Sequence, residues 1–73
     1  MNNPNPVPED IPDGWHAWQT PSGHWWASRN KAYDPREESA GAWRTVDAED
    51  RDELRRAIDA QEDIAARAWG RVR

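Results

Sequence analysis

The stretch W-H-A-W-Q-T-P-S-G-H-W-W-A-S-R, residues 15–29, decides the fold. Two short runs rich in tryptophan flank Pro21-Ser22-Gly23. Proline at the first turn position and glycine at the third predict a three-residue hairpin, a type I turn closed by a left-handed residue. With Thr20 opposite His24, Trp18 falls opposite Trp26, Ala17 opposite Ala27 and His16 opposite Ser28. Strand alternation then sorts Trp15, Ala17, Gln19, Trp25, Ala27 and Arg29 onto one face. His16, Trp18, Thr20, His24, Trp26, Ser28 and Asn30 fall on the other.

Downstream, residues 32–41 hold Asp34-Pro35, a cluster of charges and Gly41, and read as a loop. A-W-R-T-V (42–46) reads as a third strand. Asp47 is the expected N-cap of a helix over about 48–68, ending near Gly70. Acids Glu49, Asp50, Asp52 and Glu53 crowd its first turns and arginines its last, as the helix dipole favours. Asp52–Arg56 and Asp63–Arg67 are spaced for i,i+4 pairing. Leu54, Ala57, Ile58, Gln61, Ile64, Ala65 and Ala68 recur at steps of three and four and form one stripe. The stripe is rich in alanine, so its natural seat is the sheet face centred on Ala17 and Ala27. The expected fold is α+β: a three-stranded antiparallel sheet with one C-terminal helix packed across one face, βββα.

Upstream, Pro4, Pro6, Pro8 and Pro12 stand among polar and acidic residues, the pattern of an extended arm with polyproline character. The expected organisation is a flexible arm over 1–13, one domain over 14–69 and a tail over 70–73. A chain of 73 residues holds one domain of this kind, in which a core supplies only a few kcal/mol. Cysteine is absent, which removes disulfides and thiolate metal sites, and six tryptophans supply the bulk for packing.

Net charge is −4, with −3 on residues 1–14, +1 on 15–46 and −2 on 47–73. The basic stripe of a nucleic-acid binder is missing. No apolar run approaches the roughly 18 residues of a membrane span, and M-N-N-P-N-P lacks the regions of a signal peptide. A cytoplasmic protein is expected. Catalysis has little support: Ser22, Ser28 and Ser39 lie in no nucleophile motif, and no phosphate-cradling glycine loop exists. His16 and His24 share a face but stand roughly 13 Å apart along the strands, too far to share a metal. No metal, cofactor or catalytic residue is expected.

The layout resembles the AP2-type DNA-binding domain, in which three strands and a helix carry a G-x-W/F-x-A core on the second strand. A tryptophan on the third strand precedes a D-x-x-E/D helix start. The matching stretches are G-H-W-W-A (23–27) and A-W-R-T-V-D-A-E-D (42–50). The resemblance implies the βββα fold and, as an alternative function, DNA binding from the open sheet face by Arg29, Lys31, Arg36 and Arg44 with Trp43. The positions where the family carries arginines hold Trp18, Thr20, Ser28 and Asn30, so phosphate and guanine contacts are lacking. The chain also resembles small arginine- and tryptophan-rich proteins of high-GC bacteria.

The leading expectation is a non-enzymatic binding module, regulatory or accessory. Trp18, Trp26 and Trp43, flanked by His16 and His24 and extended by Tyr33, would engage a protein partner or a second copy of the chain. Exposed aromatic patches mark such surfaces, and tryptophan is a favoured hot-spot residue.

Overall fold

The computed structural model describes residues 11–70. Residues 1–10 and 71–73, which include most of the proline-rich arm, lie outside the described residues. Five elements follow one another: strands β1 (Trp15–Gln19) and β2 (Trp25–Arg29), a short helix α1 (Pro35–Ser39), strand β3 (Thr45–Ala48) and helix α2 (Arg51–Ala68). The three strands form one antiparallel sheet in the order β1-β2-β3. The βββα, α+β layout expected from the sequence is the one observed.

The hairpin has the expected register, with Trp18 opposite Trp26 and Ala17 opposite Ala27. Thr20 N–H donates to the His24 carbonyl at 2.9 Å, and Gly23 N–H to the Thr20 carbonyl at 2.8 Å. Gly23 takes φ +95°, the left-handed value that closes a three-residue loop. β2 then pairs with β3, placing Val46 opposite Ala27 and Ala48 opposite Trp25.

Parity carries Trp15, Ala17, Trp25, Ala27, Val46 and Ala48 to one face, and α2 packs there. Leu54, Ile58 and Ala65 of the helix are buried against Trp15 and Ala27, and Ile64 packs at the margin. Ala27 and Leu54 have no exposed surface, which is the close approach that the small residues permit. Ile11, Tyr33 and Ala42 complete the core. Ile11 was expected in the arm; its apolar side chain instead fills the margin of the helix-side core.

Three local features differ from expectation. The strand expected over 42–46 runs over Thr45–Ala48. Trp43 N–H donates to Gln61 Oε1 of α2 at 2.7 Å, which holds the 42–43 backbone to the helix. The helix N-cap is Asp50, not Asp47: its carboxylate accepts Glu53 N–H at 2.8 Å. Asp47 is committed to β3, opposite Trp26. Within the segment read as a loop, Pro35–Ser39 is helical. Asp34 accepts Arg36 N–H at 2.9 Å and Glu37 Oε1 accepts Asp34 N–H at 2.8 Å, the reciprocal bonds of a capping box with proline at the first position.

α2 ends as expected. Gly70, at φ +68°, donates its N–H to the Arg67 carbonyl at 2.9 Å. On its surface Asp63–Arg67 closes at 3.0 Å, as spaced, and Arg55–Asp59 at 3.1 Å. No helix among the described residues is long and apolar enough to cross a membrane.

Candidate functional site

The face opposite α2 is ordered by cross-strand rows. Trp18 of β1, Trp26 of β2 and Asp47 of β3 form one row; His16, Ser28 and Thr45 form the next. The Trp18 and Trp26 rings are stacked, with centroids 6.5 Å apart and planes within 9°. His16 stacks on Trp18 at 5.5 Å, and His24 meets Trp26 edge-on at 5.9 Å. The result is a continuous run of four rings, His16–Trp18–Trp26–His24. Such contacts add about 0.5–1.5 kcal/mol per aromatic pair beyond area burial and hold the rings in place.

Polar bonds fix both ends of the run. His24 Nε2 lies 2.6 Å from Asp47 Oδ2, and His16 Nδ1 lies 2.7 Å from Asn30 Oδ1. Ser28 and Thr45 hydroxyls meet at 3.1 Å across β2 and β3. Trp18 retains 42% of its surface and Trp26 is half-buried. α1 and α2 pack away from this face, and so does the Trp69 segment: the Trp69 indole N–H donates to Glu37 Oε2 at 2.8 Å and its ring lies under Arg36. The indole N–H, then the Asp34 backbone N–H, hold the Glu37 carboxyl below its ordinary pKa.

Four of the six residues expected in the contact surface, His16, Trp18, His24 and Trp26, are therefore brought together. Trp43 stands apart. It is 71% exposed beside a cleft of about 500 Å³ shared with Glu38, Gly41, Ala42, Arg44 and Thr45, and it makes no ring contact with Trp18 or Trp26. Tyr33 is not at the edge of the patch but in the core beneath α2. It lies outside the strand that parity governs, and its ring packs under the Arg29 guanidinium at 4.2 Å.

The helix side carries a polar cluster that the sequence reading did not single out. Glu62 Oε2 accepts the Trp15 indole N–H at 2.7 Å, Arg29 Nε–H at 3.1 Å and the Tyr33 hydroxyl at 3.4 Å. Burial first, then the Glu62 charge, push the Tyr33 phenol up to about 12. The sequence shows where the acceptor stands, not which donors meet on it. Glu62 is four residues after Ile58, at the margin of the stripe, and a buried tryptophan N–H needs an acceptor.

The basic residues of the DNA-binding alternative are dispersed. Arg29 faces α2 and is paired with Glu62. Arg44 gives Nε–H to the Arg29 carbonyl at 2.8 Å and an Nη2 hydrogen to the Asn30 carbonyl at 3.0 Å. Arg36 lies over Trp69, and Lys31 is exposed.

No protein-family model, curated protein or solved structure matches this chain. The class is thus defined by fold and surface alone: a small βββα domain with a tryptophan-bearing open sheet face.

Proposed function

We propose that this chain is a non-enzymatic binding module that engages a protein surface, foreign or its own, through the open sheet face. The observation that carries this reading is the stacked run His16–Trp18–Trp26–His24, held at both ends by Asp47 and Asn30 on the face that α2 leaves free. Side chains locked before contact lose little conformational freedom on binding, which favours affinity. Indole rings supply the large apolar area of an interface hot spot. Net acidity and the engagement of Arg29 and Arg44 within the fold weigh against nucleic acid.

The test is the Trp18→Ala/Trp26→Ala double variant. It should lose association, measured by sedimentation and by co-purification from the host, while its far-UV circular dichroism stays close to the parent. Unfolding of the variant would instead make the two rings a second core and remove the reading.

A further inference from the structure

The hydrogen-bonded pairs of the hairpin are settled by its two ends. Thr20 N–H bonds the His24 carbonyl, and Asn30 N–H bonds the Gly14 carbonyl at 2.7 Å. Hydrogen-bonded and non-bonded pairs alternate in an antiparallel ladder, so 16/28 and 18/26 are also bonded pairs. The N–H and C=O groups of Trp15, Ala17 and Gln19 consequently point away from β2, out of the free edge of the sheet. Trp15 N–H is taken by the Pro12 carbonyl at 3.2 Å. Among the described residues, none bonds the backbone N–H or C=O of Ala17 or Gln19.

The two edges of the sheet differ. β3 is four residues long, carries Asp47 and lies under α2, features that discourage strand addition. β1 carries no proline, no Asp, Glu, Lys or Arg and no bulge; its Trp15 side chain reaches Glu62 of α2, but the helix backbone runs over β2 and β3.

We infer that β1 pairs antiparallel with β1 of a second copy, so that the contact surface proposed above is completed by strand addition across a twofold axis. This rests on the reading of the tryptophan face as a contact surface and names its partner. The register follows from the unspent groups. Pairing Ala17 with Gln19 of the second copy, and Gln19 with its Ala17, uses all four N–H and all four C=O groups in four hydrogen bonds. The ladder stops at Pro21, which has no N–H. A register centred on Ala17 would instead require the Trp15 N–H that Pro12 already holds. The chosen register sets Trp18 opposite Trp18 of the other copy at a non-hydrogen-bonded position, where side chains are closest. A twofold axis normal to the sheet keeps both open faces on one side, so Trp26 and Trp18 of each copy line up as one row of four indoles. Both α2 helices stay on the opposite side.

The test is analytical sedimentation of the full chain with three variants. The parent should sediment at twice its 8.5 kDa mass. Its Ala17 and Gln19 amides should exchange more slowly as protein concentration rises. Gln19→Pro removes an outward N–H at an edge position that tolerates proline. It should keep the circular dichroism of the parent and weaken dimerisation on the order of tenfold or more, since two of four bonds are lost. Trp18→Lys and Trp18→Glu should each be monomeric and should form a one-to-one dimer when mixed, because the two position-18 side chains face each other. A Gln19→Pro dimer as tight as the parent, or no complex between the two charge variants, would overturn the strand pairing. It would leave the face reading intact if Trp18→Ala/Trp26→Ala still abolished association. A full chain that is monomeric at all concentrations also overturns the proposal.

Discussion

Glu62 shows what a single side chain does in a core this small. One carboxylate oxygen receives hydrogens from Trp15, Arg29 and Tyr33, drawn from β1, β2 and the segment that follows β2. Glu62→Ala should lower stability by about 1–2 kcal/mol in urea unfolding, because it leaves the buried Trp15 N–H without an acceptor. Glu62→Gln, which keeps an acceptor oxygen, should cost less. Tyr33 gives the corresponding pH dependence. Its folded pKa, raised to about 12, lies above the ordinary value of 10.0, so the unfolded chain ionises first. The contribution to stability is complete below pH 10 and is lost as pH rises towards 12. Tyr33 is the only tyrosine, so its phenolate absorbance reports the titration directly. A midpoint near 10 in the folded protein would refute the assigned environment.

At the scale of elements, the junction between β3 and α2 turns on which aspartate caps the helix. Asp47 and Asp50 each stand three residues before another acid, so local sequence permits either. Pairing decides between them: Asp47 sits opposite Trp26 and meets His24, and only Asp50 has its carboxylate on a helix N–H. Asp50→Ala should cost about 1 kcal/mol with loss of helical signal. Asp47→Ala removes only an exposed side-chain contact with His24 and should change stability by less than Asp50→Ala, within about 0–1 kcal/mol. Equal effects in thermal unfolding would contradict the assigned cap. The short α1 was legible by the same rules. Asp34-Pro35-Arg36-Glu37 is a capping box with proline at the first position, obscured only because five residues cannot display helical periodicity.

For the whole molecule, the two sheet faces should respond differently to truncation. Ile58 is fully buried under the sheet. Ile58→Ala should cost about 2–5 kcal/mol, which is comparable with the entire stability of a domain this size, and should leave the chain largely unfolded by circular dichroism. Trp18→Ala removes a larger side chain, yet should cost only about 0.5–1.5 kcal/mol, the worth of its ring stacking. A reversal of that order in urea unfolding would place the core on the wrong face. The arrangement distributes the six tryptophans of the 73 residues: Trp15 and Trp25 serve the helix-side core, Trp18 and Trp26 are stacked opposite it, Trp69 lies under Arg36 and Trp43 is exposed.

The hairpin, its register, the division of its side chains between two faces and the stripe of α2 were fixed by local sequence. Turn chemistry and the periods of two and of three to four leave one solution there. The limits of β3, the choice of Asp50, the burial of Ile11 and Tyr33, the separation of Trp43 from the other rings and the convergence on Glu62 were decided only in the folded chain. Each depends on groups far apart in sequence competing for one hydrogen-bond partner or one space in the core. Gln61 against the start of β3, His24 against Asp47 as a cap, and Trp15 with Tyr33 and Arg29 around one carboxylate are contacts that no local pattern encodes.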